Sequence, residues 1–158
     1  MKTTKSLNKY IAFLFVISFI CGTNVFAQKD DMKKTEMSIV KTASDIELIW
    51  NPAPEFFPRC TFTILHGDIT KPNLDFFFKI EPNTEVVNHT HNSPERMILI
   101  SGELEVTYEG EKSRILKAGT YAYGPAKKPH KAKCLDSDPC VLFVAMVDPF
   151  DAIPIAKK

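Results

Sequence analysis

The chain has 158 residues, with 20 Lys and Arg against 19 Asp and Glu and a formal net charge of +1. So even a balance leaves no electrostatic footprint for nucleic acid or for an anionic membrane surface as a partner. The length suits one domain around one core, and 11 prolines and 12 phenylalanines in short runs between turns argue for an all-β barrel or sandwich.

Residues 1–27 read as an export signal. Lys2, Lys5 and Lys9 make a basic start, Ile11 to Ile20 is an apolar run, and Val25-Phe26-Ala27 ends in the small residue preferred before a cleavage point. The run is shorter than the about 20 residues of a comfortable membrane span. The expectation is cleavage after Ala27, no stable membrane span after processing, and a periplasmic or secreted product. Cys21 raises the alternative of a lipid-modified cysteine, although Phe19 and Ile20 before it are bulky for a lipoprotein signal; a retained anchor is the other alternative. Processing removes three lysines and no acid, so the mature charge is slightly negative. Residues 28–37, mixed in charge around Met32, read as a flexible spacer. Residues 38–158 then form a single domain.

Ile39-Val40 and Ile46 to Trp50 look like the first strand material, stopped by Asn51-Pro52-Ala53-Pro54. Trp50 reads as a packing residue. Cys60 to Leu65 alternates as a strand should, and His66-Gly67-Asp68 through Asn73 is a turn that makes His66 a surface residue. Asp75 to Ile80 is aromatic and short, and Pro82-Asn83-Thr84 turns the chain towards Asn88-His89-Thr90-His91. After Gly102, Leu104, Val106 and Tyr108 alternate against Glu103, Glu105 and Thr107, a half-exposed strand that closes at the Glu109 to Lys112 hairpin. Arg114 to Leu116 returns, Lys117 to Thr120 turns, and Tyr121-Ala122-Tyr123 leads to Pro125 and His130. Val141 to Val147 is a continuous apolar run, as for a strand buried on both faces. The tail from Asp148 to Lys158 is expected to wrap the outside of the fold.

Two imidazoles two residues apart on a strand, His89 and His91, point to one face. Glu95 follows four residues later and a third imidazole, His130, lies downstream. Three His and one carboxylate suit a divalent transition metal. A competing reading pairs Glu95 with the adjacent Arg96 or a lysine at the rim and leaves a barrel that holds metal weakly.

His89-x-His91-x3-Glu95-x6-Gly102 followed by Gly119-x5-Pro125-x4-His130 resembles the two motifs of the cupin superfamily, here spanning 83–102 and 119–134 within roughly residues 75 to 147. The resemblance implies an all-β double-stranded β-helix, an RmlC-like jelly roll. It further implies one Fe, Mn, Ni, Zn or Cu ion held by His89, His91, Glu95 and His130, with two coordination positions open. The chain departs from the pattern at Asn83 and Lys127, where glycine is usual, and at Cys134, where asparagine is usual. Asn83 tolerates the left-handed backbone that such a turn demands.

With Glu95 and His130 pointing inward, strand parity turns Met97, Leu99, Ala132 and Cys134 to the cavity, and Lys131 and Lys133 to water. The pocket is then apolar apart from the metal, with Tyr121, Tyr123 and the Cys134 thiol as its only further polar candidates. Cys134 and Cys140 flank the turn Leu135-Asp136-Ser137-Asp138-Pro139, so a disulfide across it competes with a free Cys134 thiol beside the metal. Two functions remain. One is a dioxygenase-like enzyme acting on a small chelating organic molecule; the other is a non-catalytic metal-containing binding or envelope module. A homodimer would fit an exposed edge strand.

Overall fold

The computed structural model describes residues 36–156. The export signal, Cys21 and most of the spacer lie outside the described residues. The chain divides after Ser38, and the unit Ile39–Lys158 carries every strand described below. No helix among the described residues is long and apolar enough to cross a membrane.

The strands in chain order are β1 (Asn51–Pro52), β2 (Cys60–His66), β3 (Leu74–Ile80), β4 (Glu85–Thr90), β5 (Glu95–Ser101), β6 (Glu103–Tyr108), β7 (Arg114–Lys117), β8 (Tyr121–Gly124), β9 (His130–Cys134), β10 (Cys140–Met146) and β11 (Ile153–Pro154). They form two antiparallel sheets, ordered β1-β2-β3-β10-β5-β8 and β11-β4-β9-β6-β7. Alternation sends Phe76 and Ile80 of β3, Met97 and Leu99 of β5, and Leu142 and Val144 of β10 inward from the first sheet. Val86 of β4, Leu104 and Val106 of β6 and Leu116 of β7 meet them from the second in one buried cluster. The apolar run at the end of the domain is the centre of the first sheet: β10 lies between β3 and β5, and its outward-facing Val141 is buried as well.

The first-strand expectation is corrected. Ile39-Val40 and Ile46 to Trp50 pair with nothing in a ladder; the segment folds as turns, with Asp45 N–H donating to Thr42 O and Leu48 N–H to Asp45 O. The Asp45 carboxylate accepts from the Thr42 N–H and hydroxyl, a local bond that competes with strand pairing. Pairing begins where the sequence suggested a stop, with Asn51 opposite Phe62 and Pro52 opposite Thr61 at the sheet edge, where a proline is tolerated. Trp50 packs under the Lys79 ammonium, 3.7 Å from the ring centroid.

Turn chemistry explains the punctuation. Asn83 and Lys127 both take positive φ, 56° and 61°, so each fills a glycine-like position with a side chain. Gly102 has no such freedom: at φ +87°, a Cβ there would stand 2.8 Å from Cys140 Sγ and 2.9 Å from Cys140 Cα. Cys134 and Cys140 are disulfide-bonded, with Cα atoms 5.7 Å apart, so no free thiol faces the cavity from Cys134. Cys60 is the one free cysteine among the described residues; it is buried, and burial pushes its thiol up to about 12, which keeps it inert.

Candidate metal centre

A register irregularity in β4 aims the first imidazole. Val86 and His89 are three residues apart, so on a regular strand they would face opposite ways. Between them the pairing to β9 shifts by one residue: Val86 stands opposite Ala132, and His89 opposite His130. The bulge lets both point into the barrel. On the far side of β9, Tyr108 of β6 stands opposite His130, so His89, His130 and Tyr108 form a row across three strands. His91 lies just past the end of β4, where the Lys127 N–H donates to its carbonyl at 2.6 Å. Glu95 enters from the other sheet at the start of β5, opposite Gly124.

All four residues are buried, each 7 % exposed or less. One nitrogen from each of His89, His91 and His130 lies within 4.8 Å of the others. Glu95 spans two of them, with Oε1 3.3 Å from His91 Nε2 and Oε2 3.2 Å from His130 Nε2. Arg96 next door points outward and is exposed, so it is no partner for Glu95.

The Nδ1 partners fix the tautomers. His89 Nδ1 faces the Val87 carbonyl at 2.8 Å, His130 Nδ1 the Lys128 carbonyl at 3.1 Å, and His91 Nδ1 the Asp151 carbonyl. A carbonyl only accepts, so each Nδ1 carries the hydrogen. In the neutral ring the lone pair is then on Nε2. The result is three lone pairs and a carboxylate converging in a buried space. The distances are those of ion pairs, yet His91 Nε2 and Glu95 Oε2 have no hydrogen bond. These orphaned buried atoms are a cation's donor set, and the four residues fit a divalent transition metal.

Burial favours a neutral Glu95, but His130, His91 and His89 outweigh it and hold the carboxyl at about 2. Burial, then the neighbouring His130, pushes His89 down to about 3. Burial also opposes a charge on His130, but the Glu95 carboxylate overcomes it and raises this one imidazole. Without a metal, Glu95 is thus ionised and favours a proton on His130 beside it.

The centre opens on a cavity whose other walls include Phe57, Phe78, Met97, Ala122, Ala132, Leu142 and Phe150. The cavity volume is about 60 Å³, room for about two waters. Met97 and Ala132 line it, as parity requires. Leu99 shares that parity but is fully buried in the core beyond the cavity wall, and Cys134 is tied into its disulfide. Tyr121 and Tyr123 are corrected: they are 59 % and 50 % exposed, because β8 sets Ala122 opposite inward Met97, and the tyrosines opposite outward Ile98 and Arg96.

Sequence reading missed two contributors. Tyr108 reads in the sequence only as part of an alternating strand; its hydroxyl is buried, without a hydrogen-bond partner, and its ring lies 5.4 Å from that of His130. A Cβ placed on Gly124 would be 3.5 Å from both this hydroxyl and Glu95 Oε2. Burial and then Glu95 push the phenol well above its ordinary range, so it keeps its proton and can donate it in a hydrogen bond. The tail is the other. It does wrap the barrel, but Phe150 walls the cavity, Asp151 reaches His91, and β11 pairs Ile153 with Thr90 and Pro154 with His89.

The profile of the Cupin domain family matches residues 76–146, whereas a search of curated proteins returns no significant match. Among solved structures the chain is similar to the polyketide cyclase RemF from Streptomyces resistomycificus, at TM-score 0.63 and 14 % identity over 76 % of this chain and 88 % of that one. It also resembles the DMSP lyase DddQ from Ruegeria pomeroyi, at TM-score 0.58 and 18 % identity over 68 % of this chain, and KdgF from a Halomonas species, at TM-score 0.54 and 21 % identity over 65 % of this chain and 89 % of that one. The chain spans 63 % and 60 % of the length of the two DMSP lyase structures it matches. At these identities the likeness is one of fold. With its two antiparallel sheets, its spaced motifs and its matched profile, the chain carries a domain of the cupin superfamily over residues 76–146.

Proposed function

We propose that this chain is an exported metal-dependent cupin that binds a small, largely apolar, chelating organic molecule and oxidises it as a dioxygenase. The observation that carries the metal is the set of three Nδ1-tethered imidazoles and one buried carboxylate, with Nε2 and carboxylate oxygens orphaned. A bound divalent metal would supply a Lewis-acid or redox centre there. His89, His91, Glu95 and His130 would hold it. The cavity walls are largely apolar and carry no Lys or Arg, so a substrate binds by apolar contact, with its oxygens at the centre. Tyr108 lies outside this lining, its ring 5.4 Å from that of His130. The Cys134–Cys140 disulfide supports an oxidising compartment and hence the periplasmic or secreted location.

One observation favours the second reading, a binding module without turnover. Apart from the four candidate ligands, no titratable side chain lines the cavity to act as general acid or base. Oxygen uptake distinguishes the two. The mature protein is loaded in turn with Fe²⁺, Mn²⁺, Ni²⁺, Cu²⁺ and Zn²⁺ and given small α-hydroxyketones, β-diketones and catechols under air. Metal-dependent oxygen consumption with a redox metal supports the enzyme. Tight ligand binding with every metal and no consumption supports the module.

A further inference from the structure

His91 differs from the other two imidazoles in what orients it. His89 and His130 each give Nδ1–H to a carbonyl two residues back on the same chain segment. His91 gives it to Asp151, 60 residues away in the C-terminal tail. Nor does the β4 ladder hold His91, which lies past the strand's last residue.

The tail is fastened around this contact. Ser93 Oγ accepts from the Val147 N–H at 3.0 Å and the Asp148 N–H at 3.1 Å, joining the loop after His91 to the end of β10. The Phe150 N–H donates to Ile69 O, and the Ile155 N–H to Asn88 O. Between these anchors the Asp151 carboxylate clamps the neighbour of His91, accepting from the Asn92 N–H at 3.0 Å and also from Asn92 Nδ2. One residue thus aims its carbonyl at the ring and uses its carboxylate to hold that carbonyl in place. The preceding residue, Phe150, stacks on Phe62, meets Phe76 edge-on and walls the cavity.

We propose that Asp151 is a positioning residue for His91, and that residues 148–155 are a strap through which the C-terminal tail sets the affinity of the metal centre. The inference rests on the metal reading above. An outer partner that fixes a ligating imidazole's tautomer and direction typically changes metal affinity by about 10–100-fold. Because Phe150 and Asp151 are adjacent, a molecule pressing on the cavity wall also presses on the strap.

The test is a Co²⁺ titration of the full-length mature protein, followed by the visible absorption of the bound ion, for wild type, Asp151→Ala, Asp151→Asn, His91→Ala and the His91→Ala/Asp151→Ala pair. Asp151→Ala keeps the carbonyl but frees it from its clamp, and is expected to bind more weakly, by about 10-fold at the low end of the range for an outer partner, with an altered Co²⁺ spectrum. Asp151→Asn keeps an acceptor for the Asn92 N–H and is expected to fall in between. In the His91→Ala background the second substitution is expected to add almost nothing, since its effect passes through His91. A merely structural role would weaken binding equally in both backgrounds and overturns the inference, as does unchanged affinity in Asp151→Ala. Should that variant not fold, Asn92→Ala removes the Nδ2 half of the clamp and keeps the backbone N–H bond, so a smaller loss of affinity is expected there, and unaltered affinity in both Asn92→Ala and Asp151→Asn overturns the inference. Failure of the wild type to bind Co²⁺ sinks the metal reading and the strap together, whereas binding that ignores Asp151 sinks the strap alone.

Discussion

Tyr108→Phe removes one oxygen from the interior and is expected to make the protein more stable. The side chain is 7 % exposed and its hydroxyl has no hydrogen-bond partner. Deleting a paired buried hydroxyl costs about 1 kcal/mol, but an unpaired one carries a desolvation penalty of about 1–3 kcal/mol with nothing to offset it. The ring remains, so its packing beside His130 is kept and little cavity forms. The metal-free variant should therefore gain about 1 kcal/mol or more, raising the urea midpoint by about 0.5 M for a domain of this size. Unfolding at pH 7 with a chelator present, followed by fluorescence of the single tryptophan Trp50, measures this. A variant less stable than wild type by about 1 kcal/mol would mean that the hydroxyl is satisfied, refuting the reading of an unpaired buried donor.

Two further outcomes follow from the geometry. Gly102→Ala places a Cβ against Cys140 Cα at a positive φ; left-handed strain and overpacking against a backbone atom together cost about 2–5 kcal/mol, read as a lower midpoint in urea. His89→Leu changes the pH profile of the metal-free protein. Folding lowers the His89 pKa to about 3, so as the pH falls below the unfolded value near 6.5 the unfolded state takes up a proton that the native state refuses, and stability is lost. The leucine variant lacks that loss. Relative to wild type it should gain about 1.4 kcal/mol per pH unit between pH 6 and 4, and a difference that does not change with pH would contradict the burial argument.

How much was legible in the sequence depended on the range of the interaction. Spacing alone singled out His89, His91, Glu95 and His130, because strand parity and the glycine and proline punctuation are local. The same parity placed Met97, Ala132, Lys131 and Lys133 correctly. It failed at β8, where two tyrosines around a small residue gave no sign which parity faced inward; the pairing of Ala122 with Met97 decides that, and pairing is not local. The β4 bulge is likewise invisible in Val86-Val87-Asn88-His89 taken alone. The turn at Thr42 to Leu48 won over strand pairing because Asp45 satisfies the local backbone first. The tail's part in the site was the hardest to read: nothing in Phe150-Asp151 names a partner 60 residues earlier.

The most direct measurement is the metal content, by elemental analysis, of the protein purified from its native host, beside the His91→Ala variant prepared identically. One equivalent of a transition metal per chain in the wild type, lost or much reduced in the variant, is the expected result. Wild-type protein that contains no metal and takes none up on incubation with Fe²⁺, Mn²⁺, Ni²⁺, Cu²⁺ or Zn²⁺ would contradict it, leaving the three imidazoles and Glu95 as a buried polar cluster that serves packing or binds an organic ligand directly.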